Sequence, residues 1–310
     1  MLTELSTPLN NADHAESFFL GEYDMDKKEQ KNALTIDKQI ENLKNLGLLI
    51  SNVDKVKEIL SNISYYRLVK AYSLEFKKKN SNYLTGTKFE TVVELYYFNS
   101  ELCQIIFTMV EKIEILLRCR IGNYFSIKYG VLGYENSKNF ENKYYYDEFK
   151  NDIDYELERN DKSPIVKNFK NNYIDGKLPF YALIELFSFG TLSKFYKNMI
   201  SKDKKEIAKT FGISYTYLES WIESIAFVRN TCAHYGRLYN EKIPKKPMLY
   251  KEDKNDDNEK LFIIVKCMSR IIKHDKEWHA FKIKLESLFK KYKNVNISSI
   301  GFPDKWKTSI

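Results

Sequence analysis

Cysteine is scarce in this chain of 310 residues: Cys103, Cys119, Cys232 and Cys267 are all there are. None forms a CxxC pair, and the density is far below that of a secreted disulfide scaffold, so reduced thiols in a reducing compartment are expected. Proline is also rare, with six residues and none between Pro8 and Pro164. A proline ring removes a backbone donor and collides with the preceding helical turn, so so long an interval without one favours helices. Segments alternating apolar and polar with period two are few, which argues against sheets. Long hydrophobic runs are missing as well. The longest uncharged apolar stretch, around residues 102–110, falls far short of the roughly 20 residues a membrane-spanning helix needs. The opening MLTELSTPLNNADHAESFFL has neither a basic n-region nor a continuous apolar core, so it does not read as an export signal. A soluble, cytoplasmic protein is expected.

Hydrophobic residues make up 43% and aromatics 15%, enough apolar surface to offset chain entropy, so the chain should fold. At about 100–200 residues per domain, its length suits one large or two modest domains. Lys and Arg outnumber Asp and Glu by 50 to 42, a formal charge of +8. That balance is compatible with a polyanionic partner and is too small to establish one.

Residues 1–34 read as a loose arm, 35–86 as an N-terminal helical region and 87–310 as a larger helical domain with C-terminal helices and a tail. In the second region, TIDKQIENLKNLGLLI and NVDKVKEILSNI are amphipathic, with Thr35 and Asn52 as N-caps and Gly47 as a stop. The third opens with Thr87 and Glu90 spaced as a capping box. Apolar residues then recur at helical spacing through Phe89, Val92, Tyr96, Leu102, Ile106, Met109, Ile113, Leu117, Ile121 and Tyr124. A bend is expected at Asn99-Ser100 or Gly122, where helix propensity falls. NKYYYDEFKNDIDYELERN is helical but weakly patterned, and Gly176 with Pro179 marks a turn. FYALIELFSFGTLSKFYKNMI, KDKKEIAKTFG and ISYTYLESWIESIAFVRNTCAHYGRLYN give three further helical stretches, with Asp203 and Glu206 as a second capping box. A charged loop, KIPKKPMLYKEDKNDDNEK, precedes the amphipathic pair LFIIVKCMSRIIKH and EWHAFKIKLESLFKKY. The fold class is therefore all-α.

The segment that carries chemistry is residues 218–240. Leu218, Ile222, Ile225, Arg229 and Cys232 follow at spacings of four, three, four and three, which sets Arg229 on a core-facing step of an apolar stripe. An unpaired guanidinium out of water costs several kcal/mol, so Arg229 needs a carboxylate, backbone carbonyls or a cleft that admits an anion. Asn230, His234 and Arg237 share one polar face if the helix persists. Arg229 and His234 are five apart, roughly 140° around an ideal helix, so one intact helix would not converge them. Either Gly236 distorts the helix end, or the two groups flank a cleft completed by a second copy.

His, Arg and Asn without a carboxylate cluster or a thiol triad suit cleavage of RNA by its own 2′-hydroxyl. Histidine titrates near neutrality and can move the proton, while arginine holds the phosphate and neutralises charge on its oxygens. The scheme needs no metal and no cofactor.

The string RNTCAH, residues 229–234, matches the R-x4-H motif of HEPN ribonucleases, including the polar Asn after the Arg. It lies within FVRNTCAHYGRLYN, preceded by ELFSFGTLSKFY and LESWIESI, with ISYYRLVKAYSLEF, VELYYFNSELCQIIFTMVEKIEILLRCRI and GFPDKW elsewhere. Together these resemble the bacterial abortive-infection family of AbiD and AbiF, over residues 36 to 306. The resemblance implies a HEPN-like helical bundle with an N-terminal helical extension, acting in phage defence as an endoribonuclease toxin. It implies a cleft formed where two copies of the motif meet, hence a homodimer, and a structured noncoding RNA that restrains the protein. The partners implied are RNA and a second copy, with neither DNA nor a membrane. By position, Arg229 and His234 fall on the catalytic pair and Asn230 on its polar partner. Arg237 and Asn240 are weaker candidates for contacting RNA.

Arg118, four residues after Glu114, either enters the cleft or forms a salt bridge within its helix, with the second reading ahead. Tyr65, Tyr66 and Tyr72 could stack bases while Arg67 and Lys70 hold phosphates, or the tyrosines could simply fill core. Lysines 77–79, 204–205, 245–246 and 290–291 could attract an RNA backbone, although such clusters are ordinary solvated faces. Cys232 has no thiolate-activating partner and reads as core. His274 and His279 lack the spacing that puts two zinc ligands on one face and read as surface, and His14 lies in the arm. The rival function is a noncatalytic RNA-binding regulatory module of a defence system, and a third is a protein-interaction scaffold.

Overall fold

Apolar stripes at helical spacing become helices along much of the chain that the structure describes. The computed structural model describes residues 30, 32–272 and 276–310, and among them it is all-α, with isolated bridges but no strand. The expected N-terminal arm, with His14, lies outside the described residues apart from a few positions at its end, and so does His274.

The first two helices are α1, Ile36–Asn45, and α2, Val53–Asn62. The side chains of Thr35 and Asn52 accept from Lys38 N and Lys55 N, as caps do. Gly47, at φ +88°, ends α1 in the left-handed conformation that glycine adopts without strain. A short π-helical turn, Tyr66–Lys70, then leads towards the long helix α3, Phe89–Tyr129.

Helix α3 is the spine, and no break interrupts it where a bend is expected. Its hydrogen-bonded ladder continues through Asn99-Ser100 and Gly122. Asn99 is buried and bonded to a loop, so tertiary bonds supply what propensity lacks there. Gly122 serves close packing instead, since a Cβ there would lie 3.2 Å from Ile184 Cγ2. The expected stripe is buried at Phe89, Val92, Leu102, Ile106, Met109, Ile113, Leu117 and Ile121. The capping box at its start does not form. Lys88 is the N-cap without a side-chain bond, Thr87 turns back to Leu84 O, and Phe89 N is taken by Leu49 O.

Helices α4, Lys143–Arg159, α5, Pro164–Asn172, α6, Phe180–Leu183, and α7, Phe189–Asn198, build an aromatic core over the C-terminal half of α3. Phe180 and Phe195 stack at 4.7 Å, and Phe125, Phe140 and Phe149 close around them. The stretch read as one helix over 180–200 is broken, because Ser188 caps α7 through Thr191 N. Helix α8, Ser201–Lys209, lacks the second capping box as well. Asp203 is fully buried and accepts from Tyr124 Oη at 3.0 Å, Tyr129 Oη and Lys128 Nζ, which rivets α8 to the end of α3.

Helix α9, Tyr215–Ala233, lies against α3, α7, α8 and α10, Leu261–Ile271. Helix α11, Lys276–Lys291, covers α3 from another side. The tail is core: Phe302 and Trp306 pack with Phe262 and Phe289 at centroid distances of 4.8–5.6 Å. No helix among the described residues is long and apolar enough to cross a membrane.

Candidate active site

Leu218, Ile222 and Ile225 are fully buried, and this stripe delivers Arg229 onto α3. Its side chain is 28% exposed, with Nε 3.7 Å from Glu114 Oε2 and the guanidinium carbon 5.7 Å from the Phe107 ring centroid. Nη1 lies 3.4 Å from Asn230 Oδ1, while Nε is buried and finds no hydrogen bond among the described residues. Of the three ways to accommodate a half-buried guanidinium, the protein uses a carboxylate. That carboxylate is shared, because Glu114 Oε1 also binds Arg118. Two guanidinium groups on one carboxylate leave a surplus positive charge, and Arg229 is the more exposed of the two.

Arg118 itself is buried and spends its donors on Glu114, Ile184 O and Phe187 O. It ties α3 to the segment ahead of α7, and its bond to Glu114 is the salt bridge within the helix that the spacing of four suggests.

Past Arg229 the helix stops at Ala233, so the shared face expected for Asn230, His234 and Arg237 does not extend to Arg237. The stop is a Schellman motif: Gly236 N bonds Thr231 O at 2.7 Å and Tyr235 N bonds Cys232 O at 3.2 Å. Tyr235 occupies the left-handed position, φ +57°, where glycine is usual. Gly236 has a different reason to be glycine, since a Cβ would sit 2.8 Å from Thr231 Cγ2 and 2.9 Å from Thr231 O. His234 is the exposed C-cap and Asn230 is exposed one turn earlier. Arg237 folds inward onto Glu241 and Ala71 O, and Asn240 is exposed at φ +53°. No hydrogen bond joins Arg229 to His234: one lies against α3 while the other stands at the open helix end.

Three side chains from distant parts of the chain, Asn99, Cys103 and Arg67, hold this turn. Asn99 accepts from Leu238 N at 2.8 Å and Tyr239 N at 3.0 Å, and donates to Gly236 O at 3.2 Å. Cys103 Sγ lies 3.7 Å from the same carbonyl. Arg67, a candidate for RNA, donates Nη1 to Tyr235 O at 2.9 Å from the π-helical turn. Glu114, which sequence reasoning named only as a partner of Arg118, holds Arg229 instead of the turn. The signal was there for Asn99: it stands at the four–three–four spacing of Leu95, Leu102 and Ile106, a polar residue on a buried stripe.

The remaining candidates separate clearly. Tyr66 is exposed beside Arg67, whereas Tyr72 is core. Of the lysine clusters, Lys204 is buried on Glu219, and Lys245, Lys246, Lys290 and Lys291 pair with Glu223, Glu259, Glu286 and Glu101. Lys77 lies against the Tyr83 ring, and burial followed by the charge of Lys70 lowers its pKa. Cys232 is buried, and the hydrogen bond with Cys103 followed by burial pushes its thiol far up, the opposite of a nucleophile. His279 is exposed. Among the described residues no group of three His, Cys, Asp or Glu is placed to hold a metal ion.

A family model described as Abi-like protein matches residues 58–240, which include the π-helical turn, α3 and the whole of α9 with its terminal turn. No curated protein and no solved structure matches the chain.

Proposed function

The chain belongs to the family of Abi-like proteins, and from that premise we propose that it is a metal-independent endoribonuclease, a phage-defence toxin of abortive infection. The observation that carries this reading is the charge arrangement at the end of α9. Arg229 shares one carboxylate with Arg118 and keeps affinity for a phosphate, and exposed His234 follows five residues later.

In the proposed reaction the RNA's 2′-oxygen bonds to phosphorus and the bond to the 5′-oxygen breaks, leaving a 2′,3′-cyclic phosphate and a 5′-hydroxyl. His234 takes the 2′ proton or delivers one to the leaving oxygen, help typically worth about 10²–10⁴-fold. Arg229 neutralises charge building on the phosphate, and Asn230 orients the pair. Because Arg229 and His234 leave the helix end in different settings, a homodimer completes the cleft, each motif facing its twin. A structured noncoding RNA is the proposed restraint on the active protein.

Incubating the purified protein with end-labelled single-stranded RNA in EDTA tests this. Cleavage with cyclic phosphate ends is expected, lowered about 10²–10⁴-fold in His234→Ala and about 10²–10³-fold in Arg229→Ala. Tight binding with the RNA left intact would instead make the protein a noncatalytic RNA-binding module.

A further inference from the structure

Beside the motif, between the π-helical turn, α3 and the terminal turn of α9, lies a cavity of about 360 Å³. That volume falls within the ~300–1,000 Å³ typical of small-molecule sites. Its walls are aromatic, formed by Tyr72, Tyr96, Phe107 and Tyr235, and Gln104 and Arg67 are exposed polar groups on its lining. Tyr72 and Tyr96 meet edge to face at 5.5 Å, so they form a fixed wall. Tyr235 is different: the residue is 77% exposed and held in the left-handed conformation. A β-carbon there is a standing cost that glycine would remove, and nothing in the core needs this ring. Strain retained at an exposed aromatic points outward, to something the ring meets.

Arg67 extends the argument. Its guanidinium carbon is 5.8 Å from the Tyr235 ring centroid, and it binds the carbonyl of the same residue. It therefore fixes the turn and carries a positive charge to the cavity. Aromatic faces beside a cation are the two components of single-strand recognition: bases stack, and the charge holds a phosphate.

We propose that this cavity is a nucleobase subsite, which takes one unpaired base of a single-stranded RNA next to the scissile phosphate. Tyr235 stacks on the base and Arg67 holds the adjoining phosphate. Since Tyr235 directly follows His234, a seated base places its neighbouring phosphodiester at the imidazole. A paired base cannot enter, so the subsite selects single strands over duplex. This inference rests on the ribonuclease reading above.

The test uses the full chain carrying His234→Ala, which binds without cutting, and a fluorescein-labelled 12-nucleotide RNA of mixed sequence, single-stranded or annealed to its complement. The single strand is expected to bind at least about tenfold more tightly than the duplex, and Tyr235→Gly to weaken single-strand binding by about tenfold or more. Tyr235→Phe keeps the affinity, and Tyr235→Gly melts at the same or a higher temperature, which separates a lost contact from a lost fold. Gln104→Trp, which plugs the opening from α3, weakens the same binding. If single strands bind and both Tyr235→Gly and Gln104→Trp leave the affinity unchanged, or if duplex binds equally well, the subsite is refuted while the ribonuclease reading stands. If neither RNA binds, the ribonuclease reading falls, and the subsite with it.

Discussion

Asn99 does the work of several residues from one buried amide. It satisfies two backbone donors on buried residues and one acceptor in the turn that follows His234. Asn99→Ala leaves Leu238 N and Tyr239 N unpaired in the interior, at about 1–3 kcal/mol for each buried group. Urea denaturation should show that loss, and RNA cleavage should fall with it because the turn is released. Asn99→Asp, which keeps the acceptor and loses the donor to Gly236 O, is expected to fall between. At this scale the sequence was half legible. Arg229 and His234 could be picked out because their spacing within one segment is itself a motif. The hold of Glu114 on Arg229 and of Arg67 on Tyr235 could not, because those roles come from contact with residues more than a hundred positions away, and Asn99 showed only as a polar residue on a buried stripe. The same distance effect turned Arg237 inward, where Ala71 O and Glu241 claim its donors.

Element boundaries followed local chemistry only where local chemistry decided them. Thr35, Asn52, Asn142 and Ser188 cap their helices as their side chains dictate. The two capping boxes failed because stronger distant claims existed: Leu49 O took the first amide of α3, and Lys128, Tyr124 and Tyr129 took Asp203. The end of α9 shows both influences. Gly236 was suspected of distorting it, and the close approach to Thr231 is how it does so. In Gly236→Ala the new methyl meets a backbone carbonyl at 2.9 Å that cannot swing aside without breaking the terminal turn. A stability loss of about 1–3 kcal/mol is expected by calorimetry, as for other overpacked sites. Cleavage should fall further than the stability change explains, since His234 sits between the two residues forced apart.

The whole molecule spends much of its charge on itself. Five of the nine lysines that form basic clusters in the sequence are paired to carboxylates, whereas Arg229, which shares Glu114 with Arg118, keeps a surplus of positive charge. The fold class was legible because proline scarcity and helical periodicity are properties of the entire chain, while the layering of α9 on α3 was not, since no local pattern states which stripes will meet. If a homodimer completes the cleft, Arg229→Ala and His234→Ala proteins, each inactive alone, should regain cleavage when mixed and allowed to exchange subunits. A mixture as inactive as its components would show that each chain must supply both groups itself.

The unbroken course of α3 has one more consequence. Asn99, which fastens the turn beyond His234, and Glu114, which faces Arg229, are fifteen residues apart on the same rod, about 22 Å at 1.5 Å per residue. Both moorings of the motif therefore belong to a single strut, and neither can travel along it without the other. An antagonist cannot pull the two groups out of step by loosening a joint between their supports, since there is none. It must stopper the mouth from outside or bow the strut as a whole.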